Sequence, residues 1–353
     1  MKASDSSSLK KHAASTRQGF ALPAVLTVTG VVTLIFLVAI TALSSLTAEA
    51  ASARARVRFL QNALTAEANL TLLAVTEPIR SSAIAIGAPR IVDLFSGAEG
   101  NASNLEQGFI QLDGRPYAFD LSGKMIVQVQ DQAGLINLAS LSEEQHKRLM
   151  QAVGVEDAEI PRLRARYLDY VDPDNLRRVD GAEQRDYSDM SAANRPLKTP
   201  NEWLSVLGAR NSVDADKWRK LSPHLASDHT LLNANLNTST KEAMEILFGL
   251  DEKQSEAAIN ARSKLMFNSF TDFAAATGAR YIPDDEVSYV FPSGRMIFTI
   301  KDTRSAWTYR GRVILTPGGL EQPFWIDQTE LKEAPRRAAA DTSDATQFPY
   351  APR

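Results

Sequence analysis

The 353-residue chain contains no cysteine. That absence excludes disulfide staples, zinc–thiolate centres and cysteine nucleophiles. A domain built this way depends on its apolar core or on bound ions. Histidine is scarce too: His12, His146, His224 and His229 are the only four. None stands at a metal-ligand spacing from nearby acids, and no Gly-x-Ser-x-Gly elbow accompanies the serines. His146 reads as part of a polar helix face, while His224 and His229 flank a Pro/Ser-containing turn. Nothing in this set argues for an enzyme. An excess of one charge is also missing: 39 Lys+Arg stand against 42 Asp+Glu, a net charge of −3. A dedicated nucleic-acid binder is usually basic. Hydrophobic content of 44% is that of an ordinary globular protein, and the length allows one or two soluble domains.

Charge is absent altogether from one long stretch. No ionisable side chain occurs from Gln18 to Ala48. A polar leader with Lys2, Lys10, Lys11 and Arg17 precedes it, and Glu49 ends it. A bilayer crossing needs about 20 mainly apolar residues. A cleaved secretory signal has an apolar core of roughly 7–15 residues, about half this run, although Ala48-Glu49-Ala50 imitates its cleavage site. A plain signal anchor fits the length but gives no reason for Gly19-Phe20 at the boundary. Arg54, Arg56 and Arg58 follow the span, so charge alone leaves the orientation open.

From Glu49 to Thr76 the chain is rich in strong helix formers. Phe59, Leu60, Ala63, Leu64, Ala68 and Leu72 recur at helical spacing, and Pro78 stops the run. The spacing predicts one helix over 20–78, with 20–48 as its membrane-spanning part. Its length is on the order of 80 Å at 1.5 Å per residue. Residues 79–108 read as a loop. Strands are predicted at 109–112, 115–121 and 124–131, with hairpin turns at Asp113-Gly114 and Ser122-Gly123. Helical patterns then cover 140–154, 161–171, 199–208, 239–249 and 251–265. Strand patterns return at 287–292, 295–302, 307–317 and 323–328. The fold class expected is α+β: a long N-terminal helix, a small antiparallel sheet and a large all-helical domain inserted between strands. The expected domains are a leader (1–19), an α/β domain (79–137 and 280–330), the insert (138–279) and a disordered tail (331–353).

The Gly19-Phe20 junction resembles the processing site of type IV prepilins and of type II secretion pseudopilins. Three segments, DQAGLINLASLSEEQHKRLM (131–150), YLDYVDPDNLRRVDGAEQRDY (167–187) and ANRPLKTPNEWLSVLG (193–208), resemble protein K of the type II secretion system. LNANLNTSTKEAMEIL (232–247) and SFTDF (269–273) continue the resemblance in the same order. It covers roughly residues 17–328. The resemblance implies a minor pseudopilin at the tip of a pseudopilus, where it nucleates or caps assembly for protein export. It implies a single pass through the inner membrane, with the C-terminal domain in the periplasm. The implied partners are the I, J and H minor pseudopilins, the major pseudopilin, the prepilin peptidase, the assembly platform and membrane lipid. Cleavage after Gly19 and methylation of Phe20 are implied as well. Pilins carry Glu five residues into the mature chain. Here that position is Ala24, as is typical of protein K, where a tip subunit has no earlier subunit's amine to find.

The densest acidic segment holds Asp169, Asp172, Asp174, Asp180, Glu183, Asp186 and Asp189. Calcium takes six to eight oxygen ligands, and the family is associated with calcium in its helical domain. The resemblance points to Asp172, Asp174, Glu183 and Asp186 as ligands. The spacing is not that of an EF-hand, and a solvated acidic surface paired with Arg177, Arg178 and Arg185 stays open. Residues 236–273 also resemble a helix-hairpin-helix unit, which would fit a DNA-uptake or type IV pilus tip protein. Here the hairpin reads Gly249-Leu250-Asp251 and acids outnumber bases, the reverse of what phosphate binding requires. Trp203, Trp218, Trp307 and Trp325 read as core or interface anchors.

Overall fold

The computed structural model describes residues 21–87, 108–120, 124–188, 191–231, 233–279, 290–303, 306–319, 321–333 and 345–349. The chain divides into two units, residues 1–58 and 59–353. Helix α1 (Ala21–Thr76) begins in the first and ends in the second.

In the first unit every described residue is exposed, and an 18-residue window reaches a mean hydropathy of 2.5. Pro23 sits in the first turn, where a missing N–H costs nothing. The threonine hydroxyls find partners inside the helix. Thr29 donates to the Val25 carbonyl (2.7 Å), Thr33 to Thr29 (2.8 Å) and Thr41 to Val38 (2.9 Å). No hydroxyl of these three needs water, which a lipid environment would withhold.

In the second unit α1 becomes one-sided. Phe59, Ala63, Ala66, Leu70, Leu73 and Ala74 are buried at i, i+3, i+4 spacing. They meet a sheet. The strands are β1 (Ala83–Ile86), β2 (Gly108–Gln111), β3 (Asp113–Asp120), β4 (Lys124–Asp131), β5 (Ile136–Asn137), β6 (Leu225–Ala226), β7 (Arg295–Asp302), β8 (Trp307–Leu315), β9 (Phe324–Glu333) and β10 (Thr346–Gln347). Six of them form one sheet in the order β10-β3-β4-β7-β8-β9. Alternation along the strands sends Val127, Val129, Met296, Phe298, Ile300, Tyr309 and Val313 into a core shared with α1. Each such side chain stabilises the fold by roughly 1.5–3 kcal/mol on burial. A carboxylate enters this core: Glu67 is 4% exposed, with the Tyr309 hydroxyl 2.9 Å from its Oε2. Burial pushes the Glu67 carboxyl up from its usual range, and the Tyr309 hydroxyl pulls it back. Gly311 makes the room, since a Cβ there would lie 2.0 Å from Glu67 Oε1.

Between β4 and β7 the chain makes helices α2 (Glu143–Ala152), α3 (Ile160–Val171), α4 (Ala209–Ser212), α5 (Ala215–Leu221), α6 (Lys241–Phe248), α7 (Glu252–Lys264) and α8 (Phe270–Thr277). Ser142 and Asp251 close capping boxes with Gln145 and Gln254 at the starts of α2 and α7. This block has its own core. Trp203 stacks on Trp218 at 5.4 Å, and Phe248, Phe270 and Phe273 pack edge to face. Asp131, at the end of β4 and fully buried, joins block to sheet. Its oxygens accept from Ser293 N (3.0 Å) and Oγ (2.6 Å), Asn235 Nδ2 (2.9 Å) and Thr238 Oγ1 (3.0 Å). Burial pushes its carboxyl up, and these donors hold it down.

The α+β class, the long helix, a mainly antiparallel sheet and a helical block between strands match the expectation, but the block is not all-helical, since β6 lies within it and pairs in parallel with β5. Other details differ too. The expected loop at 79–108 contains β1, which pairs with β2. Asp113-Gly114 is therefore not a β2–β3 hairpin turn; the register shifts between Asp113 and Pro116, as at a bulge. The helix expected at 199–208 is a 3-10 segment, Pro200–Ser205, because Pro200 starts it and Val206 turns extended. No strand forms at 290–292, and 287–289 lie outside the described residues. The tail expected to be disordered from 331 is partly structured. β9 runs to Glu333, and β10 pairs in parallel with Tyr117 and Ala118. Phe348 is 5% exposed, its ring 4.7 Å from that of Phe119.

Candidate metal centre and helix surfaces

Asp172 caps the C-terminus of α3, and the acidic segment continues from it as an irregular loop to the 3-10 turn at Gln184–Asp186. Two non-glycine residues take left-handed conformations beside it: Asp180 (φ 61°) and Asn194 (φ 47°). Such backbone is found where surrounding structure fixes it. Carboxylate oxygens of Asp172, Asp174 and Glu183 come within 4.8 Å of one another. Glu183 is 2% exposed, and neither of its oxygens has a hydrogen-bond partner; nor does Asp172 Oδ1. Burial pushes the Glu183 carboxyl up, as do Asp169, Asp172 and Asp174, with Arg178 opposing.

Asp186 does not join the three. Its Oδ2 accepts from the Glu183 backbone N–H (2.9 Å), and its Oδ1 lies 3.6 Å from Arg177. It therefore positions Glu183. Asp169 is the neighbour that spacing did not single out. It is fully buried and holds Arg178 at 2.7 Å, and the same guanidinium also pairs with Asp172. The backbone crosses this carboxylate at Gly181, where a Cβ would sit 1.9 Å from Asp169 Oδ2. The arrangement thus combines two readings of the segment: one arginine neutralises Asp169 and half of Asp172, while Glu183 remains buried and unpaired. An all-oxygen set containing a buried, unpartnered carboxylate fits a hard cation such as calcium.

The helix-hairpin-helix segment is folded as α6, Gly249 and α7, but its hairpin is engaged internally. Arg148 of α2 donates to the Ile246 carbonyl (2.7 Å) and, with Gln145 (3.0 Å), to that of Leu247. His146 is not on a polar face: it is 2% exposed, stacked at 5.9 Å on Tyr167. His224 pairs with Glu242 at 3.2 Å, and His229 is exposed. His12 lies outside the described residues.

Of the N-terminal sites, Gly19 and Phe20 lie outside the described residues, and Ala24 is exposed in the first turn of α1. In the second unit the side of α1 opposite the core carries a row of exposed apolar residues, with Gln61 and Thr65 beside it. Leu64 (47% exposed), Ala68, Leu72 (56%) and Val75 (37%) line it.

A long N-terminal helix whose second part packs on a mainly antiparallel sheet, with a helical block inserted between neighbouring strands, defines an α+β fold. Its particular likeness is to protein K of the type II secretion system. Residues 126–227 match the family model for "Type II secretion system (T2SS), protein K". Over 168 residues the chain is 27% identical to type II secretion system protein K of Pseudomonas aeruginosa, covering 45% of this chain and 50% of that protein. It thus spans about half the length of this curated relative. The crystal structure of the GspK-GspI-GspJ complex from enterotoxigenic Escherichia coli contains a chain of the same fold. The TM-score is 0.50 at 19% identity, covering 78% of this chain and 98% of that one. The resemblance read from the ordered motifs is borne out in sequence and in fold.

Proposed function

We propose that this chain is a minor pseudopilin of a type II secretion system, carried at the tip of the pseudopilus, where it nucleates or caps assembly. It is cleaved after Gly19 and methylated on Phe20. It crosses the inner membrane once through 20–48 and holds residues 59–353 in the periplasm. The observation that carries this reading is the pairing of a protein K match at 126–227 with the exposed apolar row on the outer side of α1. Leu64, Ala68, Leu72 and Val75 give partner helices an apolar surface to cover. The similar E. coli chain was crystallised in a complex of GspK with GspI and GspJ. That supports I- and J-type partners for this chain; an H-type partner, the major pseudopilin and the assembly platform follow from the same reading. A block with its own core between β4 and β7 adds bulk that a subunit stacked above would meet. That supports a place at the tip, as does Ala24 where other pilins carry Glu. Asp172, Asp174 and Glu183 would hold calcium, with Asp186 fixing Glu183; the ion would neutralise carboxylates that burial otherwise leaves unpaired.

N-terminal mass spectrometry of the membrane-extracted protein tests the reading. Methyl-Phe20 as first residue is the expected result. An intact Met1, or a start at Ala51, overturns it.

A further inference from the structure

Three large apolar side chains left exposed in the second unit meet in one place. Phe109 on β2 is 46% exposed; Leu265 and Met266, in the link from α7 to α8, are 75% and 42% exposed. With half-buried Ile259 of α7 they line a cleft of ≈ 400 Å³ at the seam between sheet and helical block. The seam is tied by hydrogen bonds. The Ser82 hydroxyl, just before β1, donates to Met266 Sδ (2.9 Å), and Asn235 Nδ2 donates to the Ser81 carbonyl (3.2 Å). Asn237 braces the link, donating to the Phe267 carbonyl and accepting from the Phe267 N–H, each at 2.9 Å. The cleft is therefore a built surface with an apolar floor.

Its charge runs against that of the whole chain, which is −3. Arg80, Arg115, Arg262 and Lys264 line it against a single acid, Asp113. Arg115 and Asp113 hold each other at 2.7 Å. Among the described residues the other three bases have no ion pair. Arg80 and Lys264 are exposed, and the Arg262 guanidinium donates only to the Leu236 (3.2 Å) and Ser239 (2.6 Å) carbonyls. Burial pulls Arg262 down from its ordinary value; Asp113 opposes this and Arg115 adds to it.

Apolar residues exposed singly need no explanation, but a cleft that gathers three and rims them with unpaired cations does. A simple anion would satisfy the cations and leave the apolar floor wet. A nucleic-acid strand binds by stacking its bases on rings, and Phe109 is the one ring among these apolar side chains. A lipid carries its charge on one headgroup, whereas these cations stand on separate elements, Arg80 after α1 and Arg262 and Lys264 in the last turn of α7. A polypeptide that mixes acidic and apolar side chains spreads both kinds of group along one length.

We propose that this cleft binds an acidic amphipathic segment of another protein chain. Its apolar side chains cover Phe109, Leu265 and Met266, and its carboxylates pair with Arg80, Arg262 and Lys264. The proposal does not rest on the secretion reading, since any protein carrying such a segment would satisfy it.

The test is calorimetric titration of the full-length chain in maltoside micelles with acetyl-Glu-Leu-Glu-Glu-Leu-Phe-Glu-amide, with titration into empty micelles subtracted. One comparison peptide keeps the charges and replaces the apolar residues with serine; a second keeps the apolar residues and replaces glutamate with glutamine. Saturable binding of the first peptide is expected, with both comparison peptides about tenfold weaker or worse. Lys264→Glu and Leu265→Ser, both at exposed positions, should each weaken it severalfold. Lys253→Glu, an exposed lysine elsewhere on α7, should leave it unchanged. Lys264→Gln replaces the charge reversal if that variant does not fold. Four results overturn the proposal: no saturable binding by the wild-type chain, equal binding by wild type and the Lys264 and Leu265 variants, a serine peptide that binds as tightly, or displacement of the peptide by oligothymidylate or phosphatidylglycerol vesicles at lower concentration than by unlabelled peptide. The third would mean a simple anion site and the fourth a nucleic-acid or lipid site. N-terminal processing is unaffected by any of these outcomes, so the two readings fail separately.

Discussion

His146 has both ring nitrogens buried without a partner, between Tyr167 and Trp203. Burial, with help from Arg164, lowers its pKa from 6.5 to about 4. In the unfolded chain the ring takes up a proton as pH falls through about 6.5, while the folded chain refuses it until about 4. Stability from this residue is therefore complete above pH 6.5 and lost progressively between 6.5 and 4, by about 3 kcal/mol. Urea unfolding at pH 7.5 and 4.5 should show that loss, and His146→Phe should remove most of it. The burial was readable, although charged neighbours disguised it. Glu143, Glu144, Lys147 and Arg148 surround His146 in sequence, but Leu149 and Met150 stand three and four residues on and share its face. At this scale helical period is a better guide than local composition.

At the scale of elements, long periodic segments were legible and short ones were not. β4, β7 and β8 alternate over eight or nine residues, and α3, α6 and α7 carry clear starts and stops. β1 and β10 are four and two residues long, set in Gly-, Ala- and Pro-rich surroundings that read as loop. Only tertiary pairing makes them strands. β10 matters despite its size, because it delivers Phe348 onto Tyr117 and Phe119. Phe348→Ala should cost about 3 kcal/mol in chemical unfolding, a loss no disordered tail could produce. The acidic loop was half legible: composition found the carboxylates, but only the fold separates Asp186, turned to the Glu183 N–H, from Asp172, Asp174 and Glu183. Calcium at a hundred times its Kd should raise stability by about 2.7 kcal/mol. Thermal melts in calcium and in EGTA should show the difference in the wild-type chain. Glu183→Gln should abolish it, and Asp186→Asn should reduce it.

At the scale of the molecule, a fully buried carboxylate is one of the joints between two cores. The sheet core includes α1, the block core is separate, and Asp131 binds Asn235 and Thr238 of the block together with Ser293 just before β7. Hydrophobic periodicity announced both cores. The joint could not be read, because its partners lie 104 and 162 residues away in sequence. The outer side of α1 belongs to neither core. Leu72→Glu should leave the melting temperature of the purified chain within about 2 °C of wild type, since an exposed substitution changes stability little. On the proposed function it should cut co-purification of I- and J-type partners severalfold.

Asp131 and Met296 face each other across the β4–β7 ladder. The whole helical block therefore leaves and re-enters the sheet at one doorway. Closing a longer loop costs little additional entropy, so the sheet tolerates whatever is slotted there so long as the two jambs stay in register. Selection can thus rebuild the cassette, enlarge it or exchange it without asking the scaffold beneath to fold in a new way.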